Sequence, residues 1–195
     1  MAKKSLLPRG FKANAERIAI SYREELELQS HEPLCGFALA KHLNIEVCKP
    51  EDIFPENTNI VDLIGSSDKD NGWSALTMIT GKGNKLIIHN NLHSPARQQS
   101  NLMHEIAHIL CDHKYSEAPE NLELLSLMRD HNPQQEEEAI YLGSALQIPR
   151  DGLVWNLKQR KNYEEIADFY IASKSMVTFR VNTTGVKRQL SYLNI

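Results

Sequence analysis

The chain has 195 residues, of which 41% are hydrophobic and 24% charged, as in ordinary soluble globular proteins with one substantial core. No stretch approaches the roughly 18 apolar residues of a membrane span, and the start MAKKSLLPRGFK lacks the apolar run of a signal peptide. The three cysteines are odd in number and widely spaced, which argues against a disulfide framework, so we expect an intracellular, cytoplasmic protein with no membrane partner.

The formal net charge of −3 is unevenly distributed along the chain. Residues 1–149 carry 14 Lys/Arg against 21 Asp/Glu, whereas residues 150–195 carry 8 against 4. A basic C-terminal segment could face an acidic partner or nucleic acid. An excess of this size is equally typical of ordinary surface variation.

The first half of the chain predicts a helical pair followed by short strands. Residues 11–29 lack Gly and Pro and carry apolar side chains at helical spacing, and a second helix is predicted at 34–43. Pro50 should stop the first strand, with a loop over 50–59. The segment GKGN at 81–84 joins the last two strands as a hairpin, and we expect a small antiparallel sheet. Strands are predicted at 45–48, 60–64, 73–80 and 85–90.

Two longer helices are predicted in the centre of the chain, with a short one at 121–129 between them. Ser94 and Pro95 indicate the start of the first, and Pro149 closes the second, which begins near residue 134. Each helix has one apolar face. These faces comprise Leu102, Ile106, Ile109 and Leu110 in the first helix, and Ala139, Leu142, Gly143 and Leu146 in the second.

The first of these helices contains the pattern HExxH within NLMHEIAHILCDH. His104 and His108 are four residues apart and therefore project from the same helical face, opposite the apolar one. Two imidazoles in this arrangement can bind one Zn²⁺, and Glu105 between them can act as general base on a water that the metal activates. The alternative is a surface helix with two solvated histidines.

A catalytic zinc ion usually takes three protein ligands, of which this motif supplies two. Lys114 stands where the metzincin motif would place its third histidine, so that pattern fails. Measured from the apolar face of the second helix, Glu136 lies about 70° away, Glu138 about 90°, and Glu137 nearly opposite. We therefore expect Glu136 as the third ligand and Glu138 as its alternative. Without the histidine pair, the three glutamates would be a solvated first helical turn.

Three further side chains near the motif are candidates for a supporting role. On a continuing helix, His113 would turn toward the apolar arc, so we expect it to pack near the helix end or to support a metal ligand. Peptidases of this kind usually also need a donor for the oxyanion. His113, Tyr115 and His131 are the candidates, and the sequence does not choose among them.

These motifs resemble those of the ImmA/IrrE family of zinc-dependent metallo-endopeptidases. The resemblance covers LPRGFKANAERIA near the start, SPARQQSNLMHEIAHIL at the centre, and E-x-E-A-x-x-L-G-x-x-L-x-I-P at residues 136–149. Where the family usually has Phe, Ala, Leu and Met in the last motif, this chain has Leu142, Gly143, Gln147 and Ile148. The departures affect packing and leave the candidate ligands intact.

The resemblance implies that His104, His108 and a glutamate of the E-x-E pair hold one zinc ion per chain, with Glu105 as general base. It also implies a protein substrate, a helix-turn-helix repressor whose cleavage switches on mobile-element, prophage or stress genes. The alternative is a non-catalytic regulatory or antitoxin-type binding protein with a structural or vestigial metal site.

The C-terminal segment NYEEIADFYIASKSMVTFRVNTTGV resembles a helix-turn-helix, with helices at 163–170 and 174–182. A DNA-binding unit would present Lys174, Ser175 and Thr178 to the major groove, with Arg180 as a further candidate. Because basic residues are few, we favour a helical subdomain packed on the body over a DNA-binding one.

We therefore predict an α+β fold with a zincin-like metallopeptidase core at residues 1–149. It comprises the helical pair, the small antiparallel sheet and the HExxH helix. The helical subdomain at 150–195 completes the expected organisation.

Overall fold

The computed structural model describes residues 5–53, 74–79, 84–113 and 132–192 and confirms the predicted α+β class. The strand predicted at 60–64 and the short helix predicted at 121–129 lie outside the described residues. The strands are β1 (Glu46–Cys48), β2 (Ala75–Ile79) and β3 (Lys85–His89). The helices are α1 (Phe11–Glu25), α2 (Gly36–His42), α3 (Pro50–Ile53), α4 (Pro95–Leu110), α5 (Pro133–Gln147), α6 (Arg150–Lys158), α7 (Tyr163–Phe169), α8 (Lys174–Thr184) and α9 (Val186–Tyr192).

The three strands form a mixed sheet in the order β1-β3-β2. β2 and β3 pair antiparallel, as the predicted hairpin requires, with Thr77 opposite Ile87. The prediction of a purely antiparallel sheet is wrong for β1, which runs parallel to β3. The long connection between β1 and β3 explains this, because parallel neighbours need a crossover rather than a tight turn. β3 lies in the middle, and its residues 86–88 are all buried, as expected of a strand covered on both faces.

Residues 50–53 form the short helix α3 instead of beginning the predicted loop. Proline is well tolerated in the first turn of a helix, where its missing N–H would have no partner. The carboxylate of Asp52 accepts a hydrogen bond from the backbone N–H of Lys49 at 3.0 Å. Pro50 therefore ends β1, as predicted, but starts a helical turn.

The centre of the fold is the close contact between α4 and α5. Their apolar faces are buried together, with Leu102 and Ile106 of α4 and Leu142 of α5 fully inaccessible. A Cβ atom on Gly143 would lie 2.9 Å from the backbone oxygen of Met103 and 3.1 Å from the Cα of His104. The two backbones thus touch at Gly143, and this contact fixes the distance between the helices.

The buried guanidinium of Arg23 attaches α1 to the end of α5. It donates to the carbonyl oxygen of Leu146 at 2.8 Å, to that of Ala19 at 2.9 Å and to that of Glu32 at 2.8 Å. Carbonyl groups in the last turn of a helix have no partner within the helix, so the cation caps α5. Burial lowers the pKa of Arg23 to about 10, which leaves it charged at neutral pH.

The helices α6–α9 pack around a hydrophobic cluster of their own, which includes Leu153, Ile166, Val177 and Val181. The predicted pair at 163–170 and 174–182 is observed as α7 and α8, and α7 begins with a capping box between Asn162 and Glu165. The division of the chain at residue 150 stays a prediction. Among the helices of the described residues, none combines the length and apolarity needed to cross a bilayer.

Candidate metal centre

His104 and His108 lie side by side on the face of α4 that the core leaves uncovered. Their Nε2 atoms are 3.1 Å apart, and their side chains are 28% and 15% exposed. α4 begins at Pro95, as predicted, although Ser94 in the capping position makes no capping hydrogen bond through its side chain. This partial exposure leaves both imidazoles accessible to a ligand.

Glu136 faces the histidine pair from the first turn of α5. Its Oε2 lies 3.5 Å from Nε2 of His104, and its Oε1 lies 3.5 Å from Nε2 of His108. The start of α5 is fixed by Asn132, whose side chain accepts hydrogen bonds from the N–H groups of residues 134 and 135. The neighbouring Glu137 turns away and accepts from the Ser5 hydroxyl and, at 2.8 Å, from the N–H of Leu6.

The spacing of these three side chains fits a zinc ion. Ligand atoms placed about 2.0–2.1 Å from a tetrahedral zinc are about 3.4 Å from one another. The observed separations are 3.1 Å between the two nitrogens and 3.5 Å from each nitrogen to Glu136. Two imidazole nitrogens and one carboxylate are also a donor set typical of catalytic zinc, which keeps a fourth position open.

Glu105 follows His104 on α4 and is held by the edge of the sheet. The hydroxyl of Thr77 on β2 donates to Oε2 of Glu105 at 2.7 Å. Burial raises the pKa of Glu105, and Glu136 adds to the rise, while His104 and the hydroxyl and backbone N–H of Thr77 oppose it. A carboxylate with a raised pKa is a stronger base, which is what a general base requires.

His104 also differs from a solvated histidine. Burial lowers its pKa, but hydrogen bonding to Glu136 and the negative charges of Glu105 and Glu136 outweigh burial, so the pKa is raised overall. The carboxylates thus make this imidazole more basic. A more basic imidazole is also a stronger metal ligand.

The end of α4 differs from the sequence expectation, and this changes the position of His113. The helix stops at Leu110, and Asp112 adopts a left-handed conformation with φ of 53°. The N–H of His113 then donates to the carbonyl of His108 at 3.1 Å, and that of Asp112 donates to the carbonyl of Ile109 at 3.2 Å. These two bonds form a Schellman motif, which folds the chain back. The His113 ring therefore lies against His108 instead of turning toward the apolar arc.

Glu138, the alternative ligand, lies behind the histidine pair. Its Oε2 is 2.9 Å from Nε2 of His113, and its Oε1 accepts from the side-chain amide of Gln134 at 2.8 Å. The structure thus brings His104, His108 and Glu136 together and directs Glu138 to His113.

The remaining candidates for the oxyanion role are only partly described. Tyr115 and His131 lie outside the described residues. Both ring nitrogens of His113 have partners, His108 and Glu138, which favours a supporting role over oxyanion binding. Thr77 carries no sequence signal of its role, because a single threonine in a strand is ordinary and its contact with Glu105 spans 28 residues.

The side chains of α8 that a DNA-binding unit would present make contacts within the protein. The inclusion of Arg180 among the DNA-facing residues is wrong, since its side chain is fully buried and donates to the carbonyl of Ile148 at 2.8 Å and to Glu16. Lys174 pairs with the carboxylate of Glu164. The side chains of Ser175 and Thr178 form local hydrogen bonds within or next to α8.

No curated protein matches this chain. The family model of the IrrE N-terminal-like domain, Peptidase_M78, matches residues 55–182, which is more than half of the chain. The matched region contains the histidine pair, Glu105, Glu136, Glu138 and the helix-turn-helix. The match confirms the resemblance of the central motif and of the motif at residues 136–149, and the motif LPRGFKANAERIA lies before the matched region. The chain belongs to the ImmA/IrrE family, whose domains are of the metallopeptidase type.

Proposed function

We propose that the protein is a zinc-dependent endopeptidase in which His104, His108 and Glu136 hold the metal and Glu105 is the general base. One observation carries this proposal: the carboxylate of Glu105 is fixed by Thr77 directly beside the three candidate ligands. A purely structural metal site needs no anchored, basic carboxylate next to its ligands.

Each residue of the site has a separate task. When bound, zinc supplies a Lewis acid that polarises the scissile carbonyl and makes water a stronger nucleophile. The carboxylate of Glu105 accepts a proton from the attacking water and passes it to the leaving amine nitrogen. Burial raises the pKa of this carboxyl, which makes it a stronger proton acceptor than a solvated carboxylate.

The sheet offers a place for the substrate backbone beside Glu105. β2 pairs with β3 on one side, and among the described residues no strand pairs with its other side. An extended peptide can add to such an edge through main-chain hydrogen bonds. Since Thr77 lies on β2, a peptide bound there would pass close to the general base.

For the substrate we propose a helix-turn-helix repressor, whose cleavage would release mobile-element, prophage or stress genes from repression. The choice of this substrate rests on the family resemblance, because the residues of the site do not indicate which peptide sequence is cleaved. We also propose that the protein acts in the cytoplasm, where such a repressor would be found.

The zinc content of purified variants tests whether Glu136, rather than its neighbour Glu137, is a metal ligand. We expect one zinc ion per chain in the purified protein and a loss of bound zinc in Glu136→Ala. The matched control is Glu137→Ala, on the same helical turn but directed to Ser5 and Leu6, which should keep the metal. Equal zinc content in the two variants would contradict the role of Glu136.

Proteolysis tests the general base. Incubation of the zinc-loaded protein with a purified helix-turn-helix repressor encoded beside it should give one discrete cleavage. Glu105→Gln should slow this cleavage by about 10²–10⁴-fold, the usual contribution of a general base, while zinc content stays at one per chain. If Glu105→Gln retained full derepression in cells, the protein would act by binding, as in the alternative of a non-catalytic regulator.

A further inference from the structure

A chain of hydrogen bonds leads from His108 away from the candidate ligands and into the protein. Nδ1 of His108 lies 2.9 Å from Nδ1 of His113, and Nε2 of His113 lies 2.9 Å from Oε2 of Glu138. His113 is 5% exposed and Glu138 9% exposed, so water does not replace these contacts easily. The amide of Gln134 holds the other carboxylate oxygen of Glu138 at 2.8 Å.

The contact between the two Nδ1 atoms can hold only one proton when both rings are neutral. If the proton sits on His113, then His113 presents a bare Nε2 to Glu138, and two acceptors face each other at 2.9 Å. If the proton sits on His108, then His113 carries its own proton on Nε2 and donates it to the carboxylate. The second arrangement gives each contact of the chain one donor and one acceptor, and it places the lone pair of His108 on Nε2, the atom that faces His104 and Glu136.

We propose that His113 and Glu138 are positioning residues that keep the proton of His108 on Nδ1 and turn its Nε2 lone pair toward the metal centre. The inference rests on the proposed zinc site, because a ligand orientation matters only if His108 is a ligand. It assigns the second carboxylate of the E-x-E motif a task that differs from that of Glu136. Partners of this kind behind a metal-binding histidine fix the ring and its tautomer.

The same proton count disfavours a second metal ion beside the first. The ligand atoms of Cys111, His113 and Glu138 lie within 4.8 Å of one another, so this group could hold a metal by itself. To bind there through Nε2, His113 would have to move its proton to Nδ1 and donate it to His108. His108 would then carry its proton on Nε2, the atom that faces His104 and Glu136. A metal at one group therefore disfavours a metal at the other.

The first test reads the tautomer directly in the metal-free protein. Two-dimensional NMR of the full chain with isotope-labelled histidine distinguishes a protonated ring nitrogen from an unprotonated one. We expect His108 to be protonated at Nδ1 and His113 at Nε2. A His108 ring protonated at Nε2 in the folded, metal-free protein would overturn the proposal.

The second test measures zinc affinity by competition with a chelating dye. His113→Phe and Glu138→Ala should each weaken zinc binding by about 10–100-fold, as removal of groups behind a metal ligand does. Because the two residues act in series, the double variant should lose no more than His113→Phe alone. Unchanged affinity in the single variants, or losses that simply multiply, would overturn the proposal.

The controls separate failure of this inference from failure of the zinc site. His42 is the last residue of α2, and its Nε2 lies 2.8 Å from Oε2 of Glu25. The substitution His42→Ala removes this histidine–carboxylate pair and should leave zinc affinity unchanged. If the wild type binds one zinc and the His113 and Glu138 variants bind it equally tightly, only the positioning role fails. If the wild type binds no zinc, the metal centre itself is wrong and the inference falls with it. Should a variant not fold, the tautomer measurement on the wild type still decides.

Discussion

The α4–α5 pair and the α7–α8 pair are both built on buried apolar faces, yet they use their charged side chains in opposite ways. In the first pair, His104, His108 and Glu136 converge on a partly exposed face and point at one another. In the second pair, Arg180 is buried inside the fold and Lys174 is paired with Glu164. A motif carries chemistry only when packing leaves its polar atoms directed at a common point.

The spacing of residues in α8 explains why its arginine is buried. Val177, Arg180 and Val181 occupy one helical face, at positions three and four residues apart, and all three are inaccessible to solvent. In α4 the histidines lie opposite the apolar face. Helical geometry thus explains both the open site on α4 and the buried cation on α8 once the packed faces are known.

The largest effect is expected for the substitution Arg180→Met. It removes the hydrogen bonds to Ile148 and Glu16 and leaves a partly buried carboxylate without its cation. Breaking a buried pair from one side typically costs about 3–5 kcal/mol of folding free energy. Urea unfolding should show this loss, whereas Arg150→Met, whose guanidinium contacts Gln189 at the surface, should be nearly neutral. Equal stability of the two variants would mean that the contacts of Arg180 with Ile148 and Glu16 do not stabilise the fold.

Two glycine substitutions test the α4–α5 contact and the C-terminal helices separately. Gly143→Ala forces a Cβ to within 2.9 Å of the Met103 backbone, and overpacking of this kind costs about 1–3 kcal/mol. The better helix propensity of alanine returns up to about 1 kcal/mol, so the net loss of stability is small. Parting α4 from α5 should nevertheless weaken zinc binding by about tenfold, because the ligands come from both helices.

The matched variant Gly152→Ala should show the reverse pattern. Its Cβ would lie 1.9 Å from the hydroxyl oxygen of Tyr170, in the C-terminal helices and far along the chain from the ligands. We expect a clear loss of thermal stability with unchanged zinc affinity. If both glycine variants lost zinc equally, the two regions would be coupled more tightly than their separate clusters indicate.

A smaller effect is expected for Thr77→Val, which keeps the β-branched shape and removes the hydroxyl. A hydrogen bond to a charged group is worth about 1.5–3 kcal/mol, so misplacement of Glu105 should lower kcat about tenfold or more. KM and zinc content should stay unchanged, because Thr77 contacts the base and none of the three ligands. An unchanged kcat would show that α4 alone positions Glu105.

Much of the fold was predictable from local patterns, and the contacts between distant segments were not. The helix starts at Pro95 and Tyr163 and the hairpin of β2 and β3 follow from patterns within one short segment. The preference for Glu136 over Glu138 as a metal ligand rests on spacing within one helix and stays a prediction. The pairing of β1 with β3 and the anchoring of Glu105 by Thr77 join segments far apart in the chain. Such contacts depend on packing, which periodicity does not contain.

The position of His113 shows how one residue can change such an expectation. Helical periodicity directs it to the apolar arc, but the left-handed turn at Asp112 ends the helix and reverses the chain. Asp tolerates this conformation better than most residues, so the turn has a weak sequence signal. If α4 continued as a helix past Asp112, His113 would point toward the apolar face and could not contact His108.

The smallest effect is expected for Lys174→Ala. The change in affinity for duplex DNA in this variant shows whether α8 binds DNA. Each phosphate that a protein neutralises steepens the fall of affinity with salt by a slope of about −0.9. With Arg180 buried and Lys174 held by Glu164, α8 has little charge to offer, so we expect weak binding to duplex DNA and the same weak binding in the variant. Fluorescence anisotropy across a salt series would measure this, with Lys158→Ala on α6 as the control. Tight binding that falls steeply with salt and is lost only in Lys174→Ala would make α8 a recognition helix, and the two helix pairs would then both be functional surfaces.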